Sequence, residues 1–469
     1  MSRALSEEEE QYIQRFDTPT IRDFDFPAES GDRVMPYQTE PAATPDAGLI
    51  VTAGEPAAEQ PTATIPGKSA EPEERSGGNA PSAAPEQLLD PAIIPKFVNQ
   101  LPKPPVYCPV NRGDDEYLYV IDISRFTQQI LPEGFPETTV WGYGGNVMDE
   151  ETHQFRYDRS TPGATFEAVR NMPVRIKWIN KLSGPHLMAA DPARHGEDTA
   201  EGQGAVPVVT HLHGGRLSAA LNGPSNAWST CDGRAGPAYR TSVYTYPNSQ
   251  DAATLWYHDN ARGISQANIY AGLAGFYLLR SGAEFRWQRE AILPRGRYEI
   301  PMIIQDRSFH KDGSLSFARD GIKQTIQGNR DTGFLGNTIT VNGKVWPNLN
   351  VERRLYRFRL LNGSGVRVYT LRLSNGMAIT QIGTDTGFQT EPRTVDFIRL
   401  APAERADILV DFSGIEPGTK MILTNDARSP FANNDASDPE TTGQIMQFTV
   451  PIDAPNPVMP KKLPKKLNA

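Results

Sequence analysis

Val174-Arg-Ile-Lys-Trp-Ile-Asn180 shows the fold class most clearly, because apolar and polar residues alternate along it. Successive side chains of a β-strand point to opposite faces of a sheet, so the alternation predicts a strand with one buried face. The same pattern recurs at residues 356–360, 406–411 and 446–450. No segment shows a sustained 3.6-residue period, which an amphipathic helix would require. The chain is therefore predicted to be all-β, with sandwiches or barrels.

Composition supports this fold class and excludes others. The 469 residues include 40 glycines and 40 prolines, an excess that predicts many turns. Asn-Gly pairs such as Asn342-Gly343 and Asn375-Gly376 are typical of tight hairpin turns. The formal net charge of −9 argues against nucleic-acid binding. No apolar run approaches the roughly 18–20 residues of a membrane span.

The chain divides into four parts. Residues 1–88 are predicted to be a disordered linker, because eight prolines and no aromatic residue lie between Glu40 and Glu86. Ser6 and Glu9 form a capping box, which predicts a short helix at 7–16. Residues 89–290 and 291–450 are predicted as two domains, and 451–469 as a disordered, basic, proline-rich tail. Because the first residues contain no apolar core of a signal peptide, we expect either a cytoplasmic location or export by a route that the sequence does not display.

The candidate metal ligands are three histidines in two strand-like segments. In Val208-Val-Thr-His211-Leu-His213-Gly-Gly215, the two histidines are two residues apart and project from one face of a strand. His258 follows in Leu255-Trp-Tyr-His258-Asp-Asn260. Imidazoles gathered on strands suit copper or zinc, although such a pair is also compatible with ordinary polar positions.

These segments resemble the multicopper oxidases, and most closely the bacterial spore-coat laccases and bilirubin oxidases. Further motifs that agree are Trp141-Gly-Tyr-Gly144, Ala271-Gly-Leu-Ala-Gly-Phe276, Thr340-Val-Asn-Gly-Lys-Val-Trp-Pro347 and Leu400-Ala-Pro-Ala-Glu-Arg405. The resemblance covers about residues 89–450. It implies two cupredoxin domains, each a Greek-key β-barrel, and copper as the cofactor.

The resemblance also implies roles for single residues. In this family a type 1 copper accepts electrons from a phenol or similar donor, and a three-copper cluster reduces oxygen. His211 and His213 correspond to a type 2 and a type 3 ligand, and His258 and position 260 to two type 3 ligands. Position 260 is Asn260, a poor copper ligand, and Asn222 stands where the family has an acid that helps deliver protons. We therefore expect Asn260 and Asn222 to be degenerate site positions.

The histidine count limits what the chain can do alone. The family's full set needs ten histidines and one cysteine, whereas the sequence contains seven histidines. Neither Cys108 nor Cys231 has a histidine next to it, which excludes a type 1 copper site; whether the two cysteines pair is left open. The sequence ends where a second cupredoxin domain would end. We expect a truncated chain that is neither blue nor active as a laccase by itself.

Three functions stay open. A non-catalytic scaffold or binding subunit, in other words a pseudoenzyme, is favoured by Asn222 and Asn260. One half of a split copper oxidase, completed by a third-domain cupredoxin partner, is favoured by the retained histidines. The third is a protein that holds a single copper or zinc ion. We expect at most one ion per isolated chain, lost as the pH falls through about 6.5, the ordinary histidine pKa. We also expect association with such a partner or with a second copy.

Overall fold

Strands dominate the computed structural model, which describes residues 87–112, 117–148, 155–188, 205–317, 334–429 and 436–467. The predictions for residues 1–86, including the helix at 7–16, lie outside this range. The strands are β1 (Val106–Tyr107), β2 (Asn111–Arg112), β3 (Tyr117–Gln128), β4 (Thr138–Met148), β5 (Phe155–Ser160), β6 (Gly163–Val169), β7 (Val174–Asn180), β8 (Thr210–His213), β9 (Val243–Tyr246), β10 (Ala253–Asp259), β11 (Ala274–Arg280), β12 (Glu299–Arg307), β13 (Thr338–Val341), β14 (Lys344–Val345), β15 (Asn348–Asn350), β16 (Leu355–Asn362), β17 (Tyr369–Leu373), β18 (Ile379–Thr384), β19 (Gly387–Val395), β20 (Ile398–Leu400), β21 (Arg405–Asp411), β22 (Lys420–Asn425) and β23 (Gln444–Thr449). The predicted all-β fold is confirmed.

The strands form two groups. β1 to β11 make one 11-stranded sheet, whose main path runs β8-β10-β11-β6-β1-β4-β3-β7-β9. β12 to β23 make a 7-stranded sheet and a 5-stranded sheet. Among the described residues, no ladder of these strands joins the first group to the second. We call the two groups the first and the second barrel; the domain boundary at residues 290 and 291 stays a prediction.

The segment that revealed the fold class lies in the core of the first barrel. It forms β7, which runs parallel to β3 and antiparallel to β9. Trp178 on this strand belongs to a buried group of aromatic rings. Phe166 and Tyr257 lie 5.1 Å apart and Tyr143 and Tyr257 4.9 Å apart, both edge-on. This edge-on contact is the geometry that aromatic pairs prefer.

Two short helices interrupt the strands, and the sequence pattern does not predict them. Helix α1 (Ser265–Ala271) ends at Gly272, whose φ of 133° only glycine adopts readily. Helix α2 (Gly282–Arg289) begins after Ser281, whose side chain accepts a hydrogen bond from the Glu284 amide. Each helix has about two turns, too few for a helical period to be read from the sequence.

The C-terminal segment packs onto the second barrel, so the prediction of a disordered tail is wrong for residues 451–467. The segment has no helix or strand, but the Val458 amide donates to the Arg353 carbonyl and the Leu467 amide to the Thr390 carbonyl. Leu467 is buried in a cluster with Trp287, and Leu463 packs against the same cluster. Two leucines therefore anchor a segment whose composition is typical of disorder.

The first described residues also contact the second barrel. Leu88 forms a bridge with His310, and Gln100 forms a parallel bridge with Asn348. The chain enters the first barrel only at β1. The segment at 88–101 therefore pairs with parts of the chain that follow much later in the sequence.

A buried group of charged side chains connects α2 to strands of both barrels. We call it the arginine cluster; it consists of Arg280, Arg357, Arg359, Glu167, Glu284, Glu299 and Asp407. The Arg357 Nη1 lies 2.7 Å from a Glu284 oxygen, and the Arg280 Nη1 lies 2.7 Å from a Glu299 oxygen. Burial alone would raise the pKa of Glu299, but the three guanidinium groups hold it well below its usual range.

The described residues also answer the question of cysteine pairing, which the sequence left open, and bear on membrane spans. Cys108 and Cys231 do not pair; the first is buried and the second is exposed. No helix among the described residues is both long enough and apolar enough to cross a membrane.

Candidate metal centre

Three histidines converge because β8 and β10 are antiparallel neighbours. The register places His258 opposite His211 and Trp256 opposite His213. Alternation along each strand brings the three imidazoles to one face. Their candidate ligand nitrogens all lie within 4.8 Å of one another. The structure therefore brings together the three histidines that the sequence predicts as metal ligands, here called the histidine cluster.

Backbone carbonyls orient two of the three rings. The Nδ1 of His211 donates to the Asn222 carbonyl at 2.6 Å, and the Nδ1 of His258 donates to the Asp259 carbonyl at 2.7 Å. Because a carbonyl only accepts, each Nδ1 carries a hydrogen and each Nε2 keeps its lone pair. A metal-ligating histidine needs this arrangement, in which the second nitrogen is held by a hydrogen bond.

The third ring, that of His213, directs its Nδ1 towards His258. The Nδ1 of His213 lies 3.2 Å from the Nε2 of His258. Without a metal, a single proton on His213 bridges this pair. Two donors of a tetrahedral ion with metal–nitrogen bonds of about 2.0–2.1 Å are separated by about 3.3 Å, so a cation in place of that proton fits the spacing. Three imidazoles without thiolate or carboxylate suit copper and zinc.

Burial keeps the three imidazoles neutral. It lowers the pKa of His258 to about 3 and, together with the nearby Arg405 guanidinium and His211, the pKa of His213 to about 4. Burial also lowers the pKa of His211, although the hydrogen bond that its Nδ1 donates to the Asn222 carbonyl opposes this shift. A metal can bind only neutral imidazole, so the cluster is ready for binding well below the pH at which an exposed histidine is protonated. The expectation that binding fails near pH 6.5 is therefore corrected to a lower pH.

The two asparagines flanking the cluster have different contacts. Asn222 supports His211 through its carbonyl, and its Oδ1 accepts a hydrogen bond from the Leu212 amide at 3.2 Å. The Asn260 side chain instead donates through Nδ2 to the Gly223 carbonyl at 3.1 Å. Asn222 is thus a support of the cluster, whereas Asn260 has its amide bound to the neighbouring loop. Their assignment as degenerate ligand and acid positions stays a prediction.

Asp259 is a supporting residue that the sequence reasoning missed. It is fully buried, and its oxygens accept hydrogen bonds from the Val209 amide, the Ala261 amide and the Asn268 Nδ2 at 2.8 to 2.9 Å. Burial raises the pKa of Asp259 to about 7, and the amide donors oppose that shift. Asp259 fixes the end of β10 next to His258. An acid directly after His258, at the end of the strand-like run Leu255-Trp-Tyr, is the sequence signal that could have found it.

The second barrel contributes a cation to the edge of the cluster. The Arg405 Nε donates to the Thr254 carbonyl at 3.1 Å, and its Nη1 lies 3.0 Å from an Asp385 oxygen. A Cβ added at Gly214, directly after His213, would come within 2.9 Å of the Arg405 Nη2. Gly214 also has a φ of +85°, so both its conformation and its close neighbour require glycine. Arg405 ends a motif quoted for the resemblance, but its position beside His213 is visible only in the fold.

The other two described histidines lie outside the cluster. His186 is half-buried, and its Nε2 lies 2.9 Å from the Asn268 Oδ1. His310 is half-buried in the turn that pairs with Leu88. His153 and His195 lie outside the described residues.

Comparison with known proteins agrees with this geometry. The family model described as multicopper oxidase matches residues 309–448. A laccase of Bacillus stratosphericus is 40% identical over 363 residues, and the match covers 76% of this chain and 66% of that protein. A laccase of Bacillus subtilis (strain 168) is 38% identical over 361 residues, with the same two coverages. The chain thus spans 66% of the length of these two relatives.

The fold agrees as well. The McoA multicopper oxidase 2F4 variant from the hyperthermophile Aquifex aeolicus has a TM-score of 0.59 and 25% identity to this chain. The likeness covers 79% of this chain and 68% of that structure. The cupredoxin-type architecture, the motifs around His211 and His258 and the sequence identity to two laccases lead to one conclusion: this chain belongs to the multicopper oxidase family.

Proposed function

We propose that this chain is the copper-binding part of a laccase-type oxidase, with His211, His213 and His258 as copper ligands. The observation that carries the proposal is the convergence of three neutral imidazoles, two of them oriented by backbone carbonyls. A cluster without a ligand-binding role would gain nothing from one buried and two half-buried imidazoles that are directed towards one another. Buried polar groups without a partner are costly.

The family implies copper, and the donors present fit it. Copper, when bound, supplies one-electron transfer and binding of oxygen. The chain's own residues orient the ligands and exclude water. Trp256 stacks on His258 with ring centroids 4.0 Å apart, and it is almost fully buried. The indole therefore closes one side of the cluster.

A complete oxidase needs further ligands. The histidine cluster offers three nitrogen donors, fewer than the family's three-copper cluster requires. We propose that the remaining ligands lie outside the given sequence, on a third cupredoxin domain that is part of a partner chain. The isolated chain then holds at most one tightly bound ion and does not oxidise laccase dyes.

A non-catalytic scaffold is the second candidate, and Asn260 favours it. The Nδ2 of Asn260 donates to the Gly223 carbonyl, and an amide is a poor copper ligand beside imidazole. If the histidines were only remnants, the chain would keep the cupredoxin fold and bind a partner without binding metal. The two candidates therefore differ in metal affinity.

The test is a metal titration of wild type and His213→Ala. Wild type is expected to bind one Cu(II) or Zn(II) ion per chain. His213→Ala is expected to bind it at least about 100-fold more weakly, since even changes around a metal ligand cost 10–100-fold. The measurements are competition titration and elemental analysis of the purified protein.

His310→Ala is the matched control, because His310 lies outside the cluster and its loss should leave the affinity unchanged. Circular dichroism should show the same β fold in all three proteins. If wild type bound no ion at neutral pH, the copper proposal would fail and the scaffold would remain. Two or more ions per isolated chain would contradict the claim that ligands are missing.

A further inference from the structure

A cleft with no lining residue from the histidine cluster has a volume of about 760 Å³. It lies between the end of α2 and the loop that follows it, at residues 288–298, and the C-terminal segment at 458–461. Arg354 and Leu355 at the start of β16 complete it. This volume is in the range of sites that hold small organic molecules, about 300–1,000 Å³.

The charges that line the cleft are one-sided. Five of the lining residues are cationic and none is acidic, although the whole chain has a net charge of −9. The cationic residues are Arg289, Arg295, Arg297, Arg354 and Lys461. A concave surface with one sign of charge raises the local concentration of ligands with the opposite sign. The cleft therefore favours an anion.

Neighbouring groups hold some of these cations in place. The Arg354 guanidinium lies 3.7 Å above the Tyr298 ring. The Arg297 Nη2 donates to a Glu352 oxygen at 2.7 Å, and the Lys461 Nζ donates to the Glu290 carbonyl at 2.6 Å. No hydrogen bond or ion pair with another described residue engages the exposed Arg295 side chain. Arg295 thus keeps its full donor capacity for a ligand.

The remaining wall of the cleft is apolar. Ile292 and Leu293 follow α2, and Val458 and Met459 face them from the C-terminal segment. Met459 is 72% exposed and Val458 is 49% exposed, so two neighbouring apolar side chains are open to solvent. Because the Val458 amide is bonded to the Arg353 carbonyl, the segment that carries these side chains is held against the barrel. The cleft combines an apolar wall with guanidinium groups.

We propose that this cleft binds a small amphipathic anion, a molecule with one carboxylate or sulfonate group on an apolar body. The anionic group contacts Arg295 and Lys461, and the body lies against Met459 and Leu293. The cleft and the histidine cluster share no lining residue. Binding here is therefore independent of the proposed copper centre.

The test uses two probes with nearly the same aromatic body. 8-Anilinonaphthalene-1-sulfonate carries a sulfonate, whereas N-phenyl-1-naphthylamine is neutral. Wild-type full-length protein is expected to bind the sulfonate at least about tenfold more tightly than the neutral probe. Arg295→Glu and Lys461→Glu should each weaken the sulfonate at least about fivefold, since each loses an attraction of up to about 1 kcal/mol and gains a repulsion.

Arg393→Glu is the matched control, because Arg393 is an exposed arginine on β19 outside the cleft. It has the same change of charge and should leave the affinity for the sulfonate within about twofold of wild type. Fluorescence titration gives the affinities. Equal affinities for the two probes would overturn the proposal. The proposal would also be overturned if Arg295→Glu and Lys461→Glu both kept the wild-type affinity for the sulfonate.

Discussion

The histidine cluster and the arginine cluster are both buried groups of titratable side chains, but they avoid the penalty of buried charge in opposite ways. In the histidine cluster, burial lowers the pKa of His213 to about 4 and that of His258 to about 3, so the rings stay neutral. In the arginine cluster, three guanidinium groups lower the pKa of Glu299 and the acids stay charged. The first keeps neutral nitrogen donors for a ligand, and the second pairs its charges with one another.

This difference separates a binding site from a structural link. Each arginine of the arginine cluster contacts at least two acids, and its ion pairs connect α2 to strands of both barrels. The histidine cluster has two orienting hydrogen bonds and three nitrogens directed towards one another. A closed network of charges stabilises the fold, whereas an open set of neutral donors can accept a cation. The following three tests are arranged by the size of the expected effect.

Removing Arg357 should have the largest effect. Arg357 is fully buried and contacts Glu284, Glu299 and Asp407, so Arg357→Met leaves buried acids without their main partner. We expect a loss of about 3–5 kcal/mol in the free energy of unfolding, the usual cost of breaking a buried ion pair. Urea unfolding measures it.

The exposed Arg393 provides the comparison. Arg393→Met should change the free energy of unfolding by no more than about 0.5 kcal/mol, as most surface substitutions do. If Arg357→Met lost as little as Arg393→Met, the arginine cluster would not be the structural link described above.

Acidification should affect the histidine cluster at an unusually low pH. An unfolded chain takes up protons near pH 6.5, whereas folded His213 and His258 do so only near pH 4 and 3. The metal-free fold therefore loses stability as the pH falls below about 6.5, because the unfolded state binds more protons. Metal affinity, in contrast, should stay nearly constant from pH 7.5 to 5.5 and fall below about pH 4.

Elemental analysis of metal-loaded protein after dialysis at pH 7.5, 5.5 and 3.5 separates these cases. We expect the protein to retain its metal ion at pH 5.5 and to lose it at pH 3.5. A loss that is half complete near pH 6.5 would show that the imidazoles are hydrated and titrate like exposed histidines.

Asn222 should give the smallest effect. Asn222→Ala removes the Oδ1 that accepts from the Leu212 amide but keeps the carbonyl that orients His211. We expect a loss of about 0.5–1.5 kcal/mol in stability, the usual range for one hydrogen bond, and less than a threefold change in metal affinity. Asn222→Asp keeps an oxygen acceptor and serves as the control. A tenfold loss of affinity in Asn222→Ala alone would mean that the side chain, and not the carbonyl, positions His211.

The sequence predicts local features of both the fold and the site. Alternation identifies β7, and the spacing of His211 and His213 puts both imidazoles on one strand face. The pairing of His258 with His211 depends on the register between β8 and β10, which no local pattern contains. The arginine cluster was missed for the same reason, since Arg280 and Glu167 are 113 residues apart. The C-terminal segment was misjudged because two leucines outweigh a composition that is otherwise typical of disorder.

The bridge between Gln100 and Asn348 has a consequence for how the protein is made. The two residues are about 250 positions apart, so the segment at 88–101 leaves the ribosome well before the strand edge that receives it. Synthesis of the intervening residues at about 5–20 residues per second takes about 12–50 s, and the segment lacks its pairing partner during this time. The last strand of the first barrel, β11, is complete at residue 280, before Asn348 is made, so this barrel can fold while the chain still emerges. The beginning of the described chain is therefore among the last parts to reach its place, and a chaperone that shields Leu89 and Ile94 during synthesis would act in this interval.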